Sequence, residues 1–354
     1  MLQRFMDSLS AGQDLEPGDI AEVVACLAGE TETVEAKAAF LTALATKGES
    51  PAEIAGFASE LRGRAIGLPL PSSVLQGEIL DVCGTGGDRL NTFNISTTVA
   101  LVCAAAGVTV AKHGNRAVTS QSGSADVLEA LGIPVELSPE TAAQSLAEHR
   151  FAFLFAPRFH PAFRNIGPAR RLCAERGQRT LFNFLGPLLN PARPTAQLMG
   201  VSRPELTAPL ARTLQHLGVR RAMVASGSVP GGAFLDELST LGDNTVSEFY
   251  QDRGFSTSTW SPADFPLQPA TLADLAGGDR HTNAALIEGI LRGRDTGPRR
   301  DAVLLNAGAA LFIAGATRTI VDGWDKALEI LASGAAWDRV LALRKTAIAA
   351  PKAG

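Results

Sequence analysis

Between residues 78 and 137 the chain alternates short apolar runs, glycine-bearing polar loops and Ala/Val-rich segments with helical spacing. That alternation restricts the fold more than any other feature. Glu78–Val82 (EILDV) reads as a short strand ending in a glycine loop, and Ser96–Gly107 as a helix. Val108–Ala111 reads as a second strand, Ala125–Leu131 as a helix closed by Gly132, and Val135–Leu137 as a third short strand. Strand, helix, strand, helix predicts a parallel sheet covered by helices, an α/β fold. Ala152–Phe155 and Ala222–Ala225 read as further strands. Ala302–Ala310 (AVLLNAGAA) reads as an apolar strand running into a small-residue helix, and Gly323–Ala332 as a late helix that packs Trp324 on the core. No unit of about 20 to 50 residues repeats, which excludes a solenoid.

The first 66 residues have a different texture. Asp19–Ala28, Thr33–Thr46 and Ala52–Arg64 carry apolar residues at helical spacing, and Ser50-Pro51 reads as an N-cap followed by proline at the first helical position. These helices suit a small helical domain or a dimer face. Leu68–Ser73 reads as a linker.

Composition excludes several classes. The 354 residues are 45% hydrophobic, enough for a large core, and only 19% charged with a net charge of -4. No basic face is implied, and 6% aromatic residues are too few for base-stacking platforms, so no nucleic-acid partner is expected. Cys26, Cys83, Cys103 and Cys173 are scattered without metal spacing, which fits a reducing cytoplasm, with Cys26 and Cys103 as buried small hydrophobes. The N-terminal residues are too polar for a signal peptide, and no apolar run is long enough to span a membrane.

Three polar loops carry the chemistry. Asp81–Asp88 (DVCGTGGD) ends a strand in Gly-Thr-Gly-Gly, where the backbone can take positive φ and line up N–H groups toward an anion. Taken singly, such a turn is as readily structural. Asn91–Thr98 (NTFNISTT) comes next, rich in hydroxyls and amides, and opens the Ser96–Gly107 helix. A helix N-terminus of this kind attracts phosphate through its dipole and free N–H groups, although Asn94 or Ser96 would also serve as a simple cap. Lys112–Gly132 (KHGNRAVTSQSGSADVLEALG) adds the cations Lys112 and Arg116 around a Gly114 turn, then further hydroxyls ahead of a helix. Three such loops after successive strands converge on one anionic ligand. Asp236-Glu237, after the Gly-rich SGSVPGGAF, suit magnesium, which takes one or two carboxylates plus phosphate oxygens and water.

With GTGGD (84–88), NIST (94–97), KHGNR (112–116) and SGSADVLEALG (122–132), the chain resembles the anthranilate phosphoribosyltransferases, enzymes of tryptophan biosynthesis. The resemblance continues through FAPRFHPAFR (155–164), RTLFNFLGPLLNPARP (179–194), LDELS (235–239), LAGGD (275–279) and DAVLLNAG (301–308). It implies a small N-terminal helical domain, residues 1–73 joined by about 165–190, and a larger α/β domain, 74–354. The central sheet would be mostly parallel, as in the nucleoside phosphorylases. It implies transfer of the phosphoribosyl group of PRPP to the amine of anthranilate, Mg²⁺ dependence with two ions per subunit, and a cytoplasmic homodimer formed through the helical domains.

Residue by residue, the resemblance places PRPP on Gly84, Gly87, Asp88, Thr92, Asn94, Ile95, Ser96 and Thr97. It adds the run Lys112, His113, Gly114, Asn115, Arg116, Ala117, Val118, Thr119 and Ser120, and Ser124. Lys112 and Asn115 are the catalytic positions. Gly84, Asn115 and Arg170 match the anthranilate site. Ser96, Asp236 and Glu237 match the metal ligands. The aniline nitrogen is already neutral near pH 7, so His113 is read as shaping its loop, not as a base. His160 (RFHP) reads as a packed loop histidine. Two segments depart from the family pattern. RRLCAERGQ (170–178) is longer by about three residues, which leaves Arg170 or Arg171 as the carboxylate partner, with the count from RFHP favouring Arg170. The loop before Asp236 is also longer. A pyrimidine nucleoside phosphorylase, a PRPP enzyme with another aromatic amine, and a non-catalytic paralogue are the competing readings. The KHGNR loop and the acid pair argue against the first, Asn115 and Arg170 against the second. The retained acids and negative net charge argue against the third.

Overall fold

A computed structural model describes residues 1–117, 121–250 and 253–346. Four helices open the chain: α1 (Leu2–Ser10), α2 (Pro17–Ala28), α3 (Val34–Lys47) and α4 (Pro51–Gly63). α4 starts as the sequence predicts. Ser50 Oγ accepts from the Glu53 N–H, Glu53 answers to the Ser50 N–H, and Pro51 needs no donor there. α1 precedes the segments that sequence reading marked. It buries Leu2, Phe5 and Leu9 on one face.

The α/β part begins within the expected linker, with α5 (Ser72–Leu75), then runs β1 (Ile79–Gly84), α6 (Ile95–Ala105), β2 (Thr109–Gly114), α7 (Ser124–Ala130), α8 (Pro139–His149) and β3 (Phe151–Phe155). α9 (Ala156–Phe159), α10 (Phe163–Glu175) and α11 (Phe182–Leu185) come next, then β4 (Ala196–Gly200), α12 (Thr207–His216) and β5 (Arg221–Val229). β6 (Ala233–Leu235), β7 (Asn244–Tyr250) and β8 (Arg253–Trp260) precede the last helices, α13 (Arg280–Leu291), α14 (Pro298–Ile313), α15 (Ile320–Ala332) and α16 (Ala335–Thr346).

The strands form one sheet in the order β3-β2-β1-β4-β5-β7-β8, with β6 also paired to β5. β3, β2, β1, β4 and β5 are parallel, and β6, β7 and β8 add antiparallel pairings. β1 to β4 are buried almost throughout, as expected for parallel strands covered on both faces. Strand order reverses direction between β1 and β4, so the crevice beyond their carboxyl ends is where an open α/β sheet places a ligand. Gly84 and Gly200, paired in register, mark that point.

Two sequence expectations are corrected. Ala302–Ala310 lies inside helix α14 and contains no strand. Its residues are buried all round, so neither helical nor strand periodicity shows in them. The start signal lies upstream, with Pro298 at the first helical position. Val135–Leu137 is not a strand. Val135 and Leu137 are buried, but the segment is a short connection between α7 and α8, bounded by Pro134 and Pro139.

α10 packs against α2 and α3. Its Ile166 and Ala169, with Phe182, share a core with Phe5, Val24, Phe40, Leu41 and Phe57 of the opening helices. A second core covers the other face, where Val99, Leu101 and Val102 of α6 meet Val303, Leu304 and Leu311 of α14. All four cysteines are free and buried. No helix among the described residues is long and apolar enough to cross a membrane.

Candidate active site

The loop leaving β1 is built from unusual backbone. Gly86 (φ 77°) and Gly87 (φ 85°) take left-handed conformations, and Arg89 (φ 60°) and Asn91 (φ 53°) join them there. Such geometry costs free energy in non-glycine residues and persists where the surroundings impose it. Downstream contacts hold this loop. The Gly86 N–H donates to Asp236 Oδ2 at 2.6 Å, and Asp88 is also within hydrogen-bonding reach of Asp236. The Leu90 N–H turns back onto Asp88 Oδ1.

Asp236 and Glu237 lie directly over the ends of β1 and β4. A β-carbon on Gly84 would stand 2.2 Å from Asp236 Oδ2, and one on Gly200 would stand 1.6 Å from the Asp236 backbone oxygen. Asn306 of α14 anchors the backbone at Leu238, just past the acids. Its Oδ1 accepts from the Leu238 N–H at 3.0 Å and its Nδ2 donates to the Leu238 carbonyl at 2.9 Å. The motif DAVLLNAG therefore serves LDELS from behind.

Glu237 accepts the Ser96 N–H through Oε1 at 3.1 Å, at the start of α6. Lys112, 1% exposed, donates from Nζ to the Val82 carbonyl (2.6 Å) and to Ser96 Oγ (3.2 Å). Thr97 Oγ1 donates to Ser124 Oγ at 3.2 Å. The three sequence loops thus meet at one place, the N-terminus of α6. Ile95 is buried in the core and has only its backbone to offer a ligand.

Asn94 is the N-cap of α6, yet its side chain makes no cap hydrogen bond. The carboxamide points elsewhere: Nδ2 donates to the Ser122 carbonyl (3.2 Å) and Oδ1 accepts from Asn283 Nδ2 (2.9 Å). The simple-cap reading of Asn94 is thereby ruled out. Thr92 bridges to Ala276, and Phe93 N–H and Gly277 N–H bond across to Leu275 and Asn91 carbonyls. The LAGGD segment is therefore a clamp on the NIST loop.

Electrostatically the acids are only partly compensated. Burial pushes the Asp236 carboxyl up, and the charge of Asp88 adds to it. Burial likewise raises Glu237, with Asp236 as the next cause and Lys112 working against it. Asp81, fully buried beneath Lys112, is pushed up to about 6 by desolvation, partly offset by Lys112. Asn190 Nδ2 donates to Asp81 Oδ2 (2.9 Å) and to the Ala111 carbonyl (2.7 Å), which pins β1 to β2. Mutually repelling hard oxygen donors fit a divalent cation such as magnesium. No group of three or more His, Cys, Asp or Glu side chains among the described residues is arranged to hold a metal. The protein alone thus offers a partial shell.

Arg116 is committed elsewhere. Its guanidinium forks onto Glu129 (2.6 and 2.8 Å), reaches Glu136 (3.2 Å), and lies over the Phe155 ring. Asp126 Oδ2 accepts both the Ala117 and Gly123 N–H groups, closing the loop on itself. Val118, Thr119 and Ser120 lie outside the described residues.

Arg170 is linked to this centre through aromatic rings. His113 meets His160 (centroids 5.0 Å), His160 meets Phe163 (5.8 Å), and Phe163 meets Phe182 (5.7 Å). The Arg170 guanidinium lies over Phe182 (5.2 Å) and Phe163 (5.8 Å) and has no carboxylate partner among the described residues. Arg171 is exposed. His113 Nδ1 faces the Gly186 carbonyl (3.2 Å), and its Nε2 meets His160 Nε2 (3.2 Å). Burial drives His113 down to about 3, helped by His160, and His160 down to about 4. Both are neutral at pH 7. Sequence reading missed Asn283, Asn306, Asn190, Phe163 and Phe182. Asn190, Asn306 and the two phenylalanines lie in stretches it had already matched to the family, so the signal was present without a role attached; Asn283 lies just beyond LAGGD (275–279).

Comparisons with known proteins bear on the family and the fold. Residues 76–337 match the family described as "Glycosyl transferase family, a/b domain", and residues 3–65 match "Glycosyl transferase family, helical bundle domain". An anthranilate phosphoribosyltransferase of Herpetosiphon aurantiacus is 46% identical over 92% of this chain and 93% of its own. The crystal structure of the Thermus thermophilus anthranilate phosphoribosyltransferase superposes with a TM-score of 0.88 at 41% identity, covering 97% of this chain and 99% of that one. The Saccharomyces cerevisiae enzyme in complex with PRPP and Mg gives a TM-score of 0.86 at 27% identity, covering 99% and 98%.

Proposed function

The chain belongs to the anthranilate phosphoribosyltransferase family, and from that premise we propose how its own residues carry the phosphoribosyl group of PRPP to the amine of anthranilate in tryptophan biosynthesis. The observation that supports this most is the placing of Asp236 and Glu237. They are buried and mutually repelling, over the β1 and β4 ends and against the N-terminus of α6.

Gly84–Asp88 and Thr92 wrap the pyrophosphate. Asn94–Thr97 and Ser124 take phosphate at the α6 N-terminus, where N–H groups and the helix dipole favour anions. Lys112 stands at the junction of the loops and stabilises charge as pyrophosphate leaves C1 of the ribose. The sugar falls to His113–Ala117, with Arg116 contributing through its backbone because its guanidinium is already paired. Gly84, Asn115 and Arg170 hold anthranilate with its amine toward C1, so positioning substitutes for a general base. The carboxylate falls to Arg170 rather than Arg171, a choice supported by its half-buried, acid-free setting on two rings.

Ser96, Asp236 and Glu237 are the proposed magnesium ligands, for two ions per subunit. Bound there, magnesium supplies neutralisation of the pyrophosphate oxygens. We further propose a helical domain of residues 1–73 joined by about 165–190, an α/β domain of 74–354, and a cytoplasmic homodimer formed through the helical domain. The packing of α10 against α2 and α3 supports that division.

The test monitors anthranilate fluorescence in the presence of PRPP and Mg²⁺, omitting each in turn. Fluorescence falls only in the complete mixture. Base release from pyrimidine nucleosides with phosphate and no Mg²⁺ would overturn the reading.

A further inference from the structure

The orientation of two asparagines is fixed at both ends by backbone groups. The Gly278 N–H is a donor, so the Asn283 atom 2.8 Å from it is Oδ1. Asn283 Nδ2 must then face Asn94 Oδ1, at 2.9 Å. Asn94 Nδ2 is left to meet an acceptor, the Ser122 carbonyl, at 3.2 Å. Only this polarity satisfies all three contacts. Asn283 is 2% exposed, on the first turns of α13, and is part of no loop assigned above to a substrate. The fit is close: a β-carbon on Gly277 would stand 2.8 Å from Asn283 Oδ1 and from Phe93 Cα.

An asparagine at an N-cap ordinarily accepts from the N–H two or three residues on, here Ser96 or Thr97. Asn94 does not. The Ser96 N–H is already held by Glu237 Oε1; released from Asn283, the Asn94 carboxamide would be free to swing onto the Thr97 N–H, a donor that a phosphate at this terminus needs. We propose that Asn283 is a positioning residue for the phosphoribosyl donor: it holds the Asn94 carboxamide against Ser122 and the 275–279 segment, and so keeps the Thr97 N–H at the α6 N-terminus open to phosphate. The inference rests on the reading of that terminus as part of the PRPP site.

The test is a double-mutant cycle with Asn283→Ala, Asn94→Ala and both together, scored by steady-state kinetics with PRPP and anthranilate varied separately. Asn283→Ala raises KM for PRPP by about tenfold, the size expected when one buried hydrogen-bond partner is removed, and leaves KM for anthranilate within about twofold. Because Asn283 acts through Asn94, the double variant is no worse for PRPP than Asn94→Ala alone. An unchanged PRPP KM, equal rises in both KM values, or additive losses in the double variant each overturn the proposal. If Asn283→Ala does not fold, Asn283→Asp is scored in the same cycle. It keeps the size and an acceptor for Gly278 but loses the donor to Asn94, and a purely repulsive effect of its charge would add to Asn94→Ala instead of merging with it. Wild-type enzyme that shows no Mg-dependent use of PRPP contradicts the functional reading itself, a result separate from any of these.

Discussion

The end of β4 and the acid segment occupy one another's space only because residue 200 is glycine: a β-carbon there would stand 1.6 Å from the backbone oxygen of Asp236. Gly84, its partner on β1, meets the same residue from the other side, 2.2 Å from Oδ2. The position of Asp236-Glu237 is therefore set by missing side chains at the switch point of the sheet.

Gly84→Ala should push the Asp236 carboxylate off its position while β1 remains paired. Misplacement on the scale of an ångström costs on the order of a hundredfold in rate. Steady-state kcat/KM should fall by about that much, with a modest change in thermal midpoint, and Gly200→Ala should be worse on both measures because it meets backbone.

Arg170→Ala should raise KM for anthranilate by about tenfold to a hundredfold, the value of one charge-assisted hydrogen-bonded pair. KM for PRPP should stay near wild type. Arg170→Lys should not restore binding, since an ammonium neither forks onto a carboxylate nor stacks on Phe163 and Phe182 in the same way. Arg171→Ala, on the exposed side of α10, should leave both constants nearly unchanged.

The raised carboxyls give a pH dependence of defined sign. Asp236 and Glu237 hold protons in the folded state that the unfolded chain has already released. Their contribution to stability is fully present below about pH 4 and is lost as pH rises toward neutrality. In metal-free protein the thermal midpoint of wild type should therefore fall, relative to the Asp236→Asn, Glu237→Gln double variant, as pH goes from about 5 to about 8. Adding Mg²⁺ with pyrophosphate should close that gap for wild type only.

The paired histidines have the opposite sign. Their folded-state values, about 3 for His113 and about 4 for His160, lie below the unfolded value. The stability they contribute is present above about pH 6.5 and is lost as pH falls through about 4. His160→Gln should flatten the decline of thermal midpoint on that acid side. Neither histidine should produce a limb near pH 6.5 in the kcat/KM profile, the region where an unperturbed imidazole titrates.

Much of the site was legible because its loops are local. GTGGD, NIST and KHGNR each sit after a short strand or before a helix; singly each is as readily structural, and it is their recurrence after successive strands that points to one anionic ligand. What escaped was non-local. Asn283 and Asn306 lie 189 and 68 residues from the groups they hold, Asn94 and Leu238, and look like ordinary helix residues. The helix over Ala302–Ala310 escaped because burial on every side erases the period that separates helix from strand. Val135–Leu137 misled for the opposite reason: two buried apolar residues either side of a polar one mimic a strand, while prolines on both flanks leave only a connection.

Phosphoribosyl transfer at the Asp236-Glu237 centre is tested most directly by counting pyrophosphate released against anthranilate consumed, in wild type and in the Asp236→Asn, Glu237→Gln double variant, with PRPP and Mg²⁺ present. One pyrophosphate per anthranilate in wild type, strict dependence on Mg²⁺, and loss of both signals in a folded double variant is the predicted result. Turnover at the wild-type rate in the double variant, or anthranilate consumption without pyrophosphate, would contradict it.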